Sequence, residues 1–253
     1  AAGVARGAGV AVEQVAAHNV VPAWVASPRQ EHSAATLRPK LQRLLPRYLN
    51  EFDSLVPHPY PWAEAPAGLD IEGTLARVCA GATWITPGPR AASAALVAFL
   101  ARRLDDYALG RNDPTRRLQS DLSPYLHFGQ LAPQRAALAA AAHPGADAGR
   151  EAFLEELIVR RELADNFCFY NEHYDGVACF PDWALRTLEA HADDPRPFIY
   201  SRDQLAAAAT DDPLWNAAQR EMVHRGKMHG YLRMYWAKQI LTWSRDAAEA
   251  LAH

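Results

Sequence analysis

The residues best suited to chemistry are concentrated in the stretch from Met228 to Trp243, which is apolar, aromatic and cationic at once. Leu232, Trp236, Gln239 or Ile240, and Trp243 recur at helical spacing, so one face is expected to be buried. Trp236 and Trp243 lie seven residues apart, which on a helix puts them on nearly the same face, about 10 Å apart along the axis. Arg233 and Trp236 form an i,i+3 pair that can address one ligand together. A core helix whose tryptophans only fill volume has the same spacing, so this stretch alone leaves both readings open.

Three further clusters carry polar chemistry. Tyr107 to Thr115 reads as a loop, followed by Gln119-Ser120-Asp121-Leu122-Ser123-Pro124. Ser123 is a natural N-cap with Pro124 at the first helical position. A helix start with hydroxyls and open backbone N–H groups can take an anion such as a pyrophosphate, although ordinary capping uses the same residues. Asp121 repels a phosphate there unless a cation intervenes. Glu151 to Phe167 is a strong helix with Glu156 and Arg160 at i,i+4, a surface pair worth only a few tenths of a kcal/mol. Glu156 could instead point into a cavity and hydrogen-bond a polar heterocycle. In the last cluster, Asp212 is the N-cap and Pro213 the first residue of a helix carrying Trp215. Beyond it Arg220, Arg225, Lys227, Arg233, Lys238 and Arg245 outnumber Glu221 and Asp246, with Tyr231 and Tyr235 interleaved. That mixture suits phosphate contacts plus base stacking, and a basic solvent face equally. His224 and His229 lack metal-ligand spacing and read as structural, so no metal site is expected.

The elements that must position these groups are mostly helices. Val10 to Ala17 fits a helix end or a short strand, and Val20 to Ala26 reads as a buried strand ended by Ser27-Pro28. Thr36 to Phe52 has helical spacing, tolerating Pro39 near its start but kinked or divided at Pro46. Prolines crowd residues 54–90, with a short helix near Ile71 to Cys79, and mark a linker. Helices follow at 91–106, 131–142, 151–170, 182–190, 201–208, 214–224 and 228–250. The expected organisation is a strand-containing remnant followed by an all-helical domain, without internal repeats.

Composition narrows the function classes. The 253 residues, 49% hydrophobic, suffice for a sizeable core, and a net charge of -3 excludes a globally basic nucleic-acid binder while allowing a local basic patch. Cys79, Cys168 and Cys179 cannot pair fully and form no CxxC, which points to a reducing, cytoplasmic setting. No apolar run reaches membrane-spanning length. Ala1 to Ala17 reads as the trimmed end of a longer chain rather than a signal peptide.

Taken together, Ser120 to Gln130, Arg160 to Cys168, Asp212 to Asn216 and Gly226 to Trp243 resemble the class II cyclobutane pyrimidine dimer DNA photolyases of the photolyase/cryptochrome superfamily. The likeness extends back to Ala17-His18-Asn19-Val20-Val21-Pro22 and Thr36 to Lys40 and keeps the same order along nearly the whole chain. It implies a mainly α protein: a partial Rossmann-like α/β antenna-domain remnant (1–55), a Pro-rich linker (56–90) and an all-helical FAD-binding domain (91–253), incomplete at its C-terminal side. It implies light-driven repair, in which reduced FAD passes an electron to a pyrimidine dimer flipped out of damaged double-stranded DNA. It also leaves room for a deazaflavin-type antenna in the full-length protein. A soluble monomer of bacterial type, DNA-associated and with no membrane partner, is expected.

Carried onto this sequence, the resemblance makes Tyr107, Ser120, Asp121, Leu122 and Ser123 flavin-binding, with Asp121 standing where the family often has Asn. Arg233 falls beside the flavin ring, where a cation stabilises the anionic reduced form. Glu156 and Met234 match dimer contacts, Arg111 is grouped with them, and Arg160 replaces a dimer-stacking tryptophan of some members. Trp236, Trp215 and Trp243 match a route that photoreduces the flavin, with Trp236 nearest to it. The first half of the antenna domain and the segment after Leu251 are missing relative to the family, so the chain reads as an internal fragment that alone binds FAD weakly if at all. The alternatives are a cryptochrome-like photoreceptor without repair and an inactive, cofactor-free helical fragment.

Overall fold

Apolar residues at 3–4 spacing dominate this chain, and a computed structural model accordingly folds it as helices joined by short connections. The structure describes residues 15–54, 84–145 and 147–253, with positions 7, 56, 57, 59 and 68. The expected helix at Ile71 to Cys79, most of the proline-rich stretch and much of Val10 to Ala17 lie outside the described residues. Among those residues no strand occurs, and no helix is long and apolar enough to cross a membrane. Two compact units form: 1–51 with 87–111 and 115–179, and 52–86 with 112–114 and 180–253.

The first unit contains α1 (Ala23–Ala26), α2 (Ala34–Tyr48), α3 (Pro89–Arg102), α4 (Leu104–Gly110), α5 (Ser123–His127), α6 (Pro133–Ala141), α7 (Asp147–Leu154) and α8 (Arg161–Tyr170). Leu37, Leu41, Phe99, Leu104 and Phe153 form its interior. Burying each such side chain contributes roughly 1.5–3 kcal/mol. Helix α7 meets α4 so closely that a Cβ at Gly149 would sit 1.9 Å from the Leu104 carbonyl oxygen. Only glycine fits there.

Val20 to Ala26 is not a strand. The backbone N–H groups of Val20 and Val21 donate to Glu162 Oε1 at 2.7 and 3.3 Å, so they are unavailable to a neighbouring strand. The rest of the run closes into α1, where Val25 N and Ala26 N both donate to Pro22 O at 2.9 Å. One stripe of α8 grips this segment. Below Glu162, Asn166 accepts from Glu31 N at 2.7 Å, and the Tyr170 hydroxyl donates to Ser27 O at 2.6 Å. The described residues therefore lend no support to an α/β remnant. Helix α2 also runs unbroken through Pro39 and Pro46, because the latter falls in the final turn.

Between α7 and α8 the backbone forms a π turn, Glu155–Arg160, inside one continuous run of helix. Such insertions are rare and often accompany functional sites. The second unit contains α9 (Asp182–Ala190), α10 (Arg202–Ala206), α11 (Pro213–Arg225), α12 (Gly230–Thr242) and α13 (Ala247–Ala252). The single helix expected over 228–250 is thus two. Trp243 ends α12, and the Asp246 carboxylate accepts from Glu249 N at 2.7 Å to start α13. Helix α11 ends at Gly226, whose φ of 66° suits a left-handed cap.

Candidate functional site

The predicted site residues fall into two groups, one in each unit. In the first, Tyr107 belongs to α4 rather than to a loop and is buried between Phe99 and Phe153, with centroid separations of 5.6 and 5.7 Å in edge-on contact. Arg111, capping α4 one turn later, lies 5.9 Å from the Tyr107 ring centroid and pairs with Glu156 at 2.8 Å. Burial raises the Tyr107 pKa, with Arg111 opposing the shift. Tyr107, Arg111 and Glu156 are therefore assembled as one patch.

Glu156 and Arg160 do not form the expected i,i+4 pair. Arg160 instead donates to Glu155 at 3.2 Å, and Glu155 also takes a two-pronged contact from Arg38 at 2.8 and 3.0 Å. The π turn explains the exchange. Hydrogen bonding at i→i+5 aligns residue 160 over 155 and turns Glu156 towards Arg111. Arg38 holds the Glu155 carboxyl below its ordinary range, despite a burial penalty.

Ser120, Asp121, Leu122 and Ser123 occupy the approach to α5. Asp121 adopts φ 61°, a left-handed conformation that Asp tolerates. Leu122 then becomes the cap, and Ser123 is the first helical residue rather than the N-cap. No side chain caps this short helix. Ser120 Oγ accepts from Leu122 N at 3.4 Å. Arg103 was missed in the sequence, because it lies 18 positions from its partner. Its guanidinium donates to Asp121 Oδ2 at 2.9 Å and to the Gln119 carbonyl at 2.8 Å. It places a cation directly on the Asp121 carboxylate.

The second group is assembled around Trp215, which is wholly buried. Its ring stacks on Trp236 at 6.1 Å and 4°, and meets Trp243 edge-on at 5.5 Å. Trp215 Nε1 donates to the Trp236 carbonyl at 3.1 Å, and Trp236 Nε1 donates to Gln219 Oε1 at 2.9 Å. Trp243 contacts Tyr200 edge-on at 5.2 Å. The three tryptophans thus form one contiguous series with Trp215 in the middle, an order that a face count on α12 could not supply. Asp212 is the N-cap of α11, accepting from Trp215 N at 2.9 Å, and its other oxygen accepts from the Tyr235 hydroxyl. Against the cost of burial, these bonds and one from Gln239 hold the Asp212 pKa down.

Arg233 and Met234 are exposed on α12, whereas Trp236 is half-buried. His229 begins α12 by accepting from Tyr231 N at 3.3 Å, and burial, assisted by Lys227, lowers its pKa. No group of His, Cys, Asp or Glu among the described residues could hold a metal ion.

Comparison with known proteins decides the family. The chain is 51% identical over 257 residues to the deoxyribodipyrimidine photo-lyase of Oryza sativa, covering 96% of this chain and 51% of that protein. The corresponding protein of Potorous tridactylus is 46% identical over 94% of the chain, and that of Methanothermobacter thermautotrophicus is 42% identical over 95%. This chain belongs to the photolyase family. It spans about half the length of the photolyases it matches, 46–54% in these three. The fold agrees: a bacterial class III photolyase from Agrobacterium tumefaciens superposes with a TM-score of 0.63 at 19% identity, covering 99% of this chain and 56% of that one. No family model matches the chain. The photolyase resemblance read from the residue motifs therefore stands over almost every residue of the chain.

Proposed function

We propose that this chain is the central part of a photolyase that splits cyclobutane pyrimidine dimers in double-stranded DNA by electron transfer from reduced FAD. The observation that carries this reading is the contiguous indole series Trp236–Trp215–Trp243, in a chain so close to proteins named for that reaction. Residues 91–253 are assigned to the helical FAD-binding part and 56–90 to a linker, while residues 1–51 join 87–111 and 115–179 in one compact unit. The protein acts as a soluble monomer in the cytoplasm on a dimer flipped out of the duplex.

The donor set fits the flavin. Arg103 neutralises Asp121, so the Ser120–Ser123 approach can receive a phosphate despite its carboxylate. Tyr107 and Leu122 supply a buried, rigid backing for that approach. Arg233 offers an exposed guanidinium one helical turn from Trp236, suited to a negatively charged ring. FAD, when bound, supplies the light-driven one-electron chemistry on the dimer and takes the electron back. The chain's own residues bind and orient. Glu156, held by Arg111, and Arg160 are assigned to dimer contact, Met234 is assigned to it by the family match alone, and the indoles provide the path that recharges the flavin.

The test is illumination of the full-length protein with dimer-containing DNA, following loss of the dimer. Loss of dimers under light, abolished by Glu156→Ala and Met234→Ala, is expected. Unchanged dimers beside a fully reduced flavin would identify a photoreceptor instead, and absence of flavin absorbance would leave a cofactor-free helical protein.

A further inference from the structure

Helix α11 presents Trp215 and Gln219 at i,i+4 on one buried face, at 0% and 7% exposure. Trp215 is the second ring of the indole series. Gln219 is the hydrogen-bond partner of the first. An indole N–H can only donate, so the Gln219 amide must turn its oxygen to Trp236. Its Nε2 then points to the Ala206 carbonyl, 3.5 Å away. That carbonyl belongs to the end of α10, where Ala208 takes φ 54° and Arg220 donates to the Ala208 carbonyl at 3.2 Å. The amide is thus oriented from both sides. Gln219 also lines a cavity of ≈ 250 Å³ bordered by Ala206 to Ala208, Arg220, Val223 and His224, whereas Trp236 does not line it. Gln219 thus accepts the Trp236 N–H while bordering a cavity that His224 also lines.

We propose that Gln219 is the positioning residue that keeps the indole proton on Trp236 while that ring is oxidised. This role rests on the electron-route reading above. In the step concerned, Trp236 gives one electron to a photoexcited flavin and becomes an indole radical cation, whose N–H is strongly acidic. An amide oxygen is too weak a base to accept that proton, so no N–H bond breaks. Trp215 then gives one electron to Trp236, restoring the neutral indole and moving the positive charge inward. The N–H of Trp215 faces the Trp236 carbonyl, an equally weak base, so the charge moves on without leaving a proton behind. A carboxylate at 219 would remove the proton and strand a neutral radical on Trp236.

Two measurements on the full-length protein decide this. Indole N–H exchange in the dark, followed by nitrogen-labelled tryptophan NMR, needs no flavin chemistry. Gln219→Met, of similar shape but without the amide, is expected to speed Trp236 exchange by about tenfold or more, leaving Trp215 unchanged. Equal exchange in both proteins overturns the shielding. Flash spectroscopy of the flavin-loaded protein, in a Trp215→Phe background that holds the charge on Trp236, then reads the protonation state of the radical. The protonated radical is expected with Gln219, and a faster-forming neutral radical with Gln219→Met and with Gln219→Glu. The same protonation state in all three overturns the role of Gln219 alone. No tryptophan radical in the otherwise unaltered protein overturns the electron route, and this role with it.

Discussion

The two units solve opposite electrostatic problems. The candidate residues of the first are held by charge: Arg111 on Glu156, Arg103 on Asp121, and Arg38 with Arg160 on Glu155. The indole side chains of the second are held by neutral groups. Its indoles donate to a carbonyl and an amide, and their rings pack on one another. The first arrangement fixes guanidinium and carboxylate groups in place. The second stacks π surfaces whose indole N–H groups face a carbonyl and an amide.

The largest test of that contrast is Trp215→Ala. Removing a fully buried indole from the neutral cluster should cost about 3–5 kcal/mol in chemical denaturation. Trp215→Phe should retain most stability yet slow flavin photoreduction strongly. Equal photoreduction in Trp215→Phe and the parent would break the contrast.

Next in size is Glu162, the exception within the charge-held unit, because it is 2% exposed and its carboxyl accepts from backbone N–H groups. Burial pushes its pKa from 4.5 to about 7, although the N–H groups of Val20 and Val21 oppose the shift. The folded state thus binds this proton more tightly than the unfolded state. Stability should be greatest below pH 4.5 and decline as pH rises to about 7, a change of about 3 kcal/mol from this group. Glu162→Gln should flatten that decline in pH-dependent melting, and an unaltered slope would dismiss the assignment. Asp212→Ala removes the N-cap of α11 and should cost about 1–2 kcal/mol. The smallest effect is expected for Glu156→Gln. Its pair with Arg111 is about one-third exposed, so thermal stability should fall by less than about 1 kcal/mol. Dimer binding, measured separately, should weaken far more than stability does.

Periodic and local signals made much of this legible in the sequence. The helix at 182–190 and the Asp212 cap before Pro213 follow from short-range rules, and both occur as read. The indole face of α12 was visible in its spacing. What escaped depends on distant partners. Val20 to Ala26 has strand-like composition, but Glu162, 142 positions away from Val20, takes its backbone donors. Gln219 is an ordinary helix residue until α12 brings Trp236 against it. Ser123 lost the cap because Asp121 turns left-handed under the hold of Arg103, a conformation no neighbouring residue announces.

The π turn at Glu155–Arg160 has a consequence for how this chain tolerates length changes. Topologically it is a one-residue insertion within a helix that continues on both sides. Each residue of an α-helix advances the phase by about 100°. The π turn absorbs its extra residue without that rotation, because residue 160 sits over 155 as an i+4 neighbour would in a regular helix. Excising one residue, for example Ile158, should therefore let the helix close regularly with Glu162, Asn166 and Tyr170 still facing the segment they grip. A single deletion here should leave residues 20–31 coupled to their unit and helical content nearly unchanged.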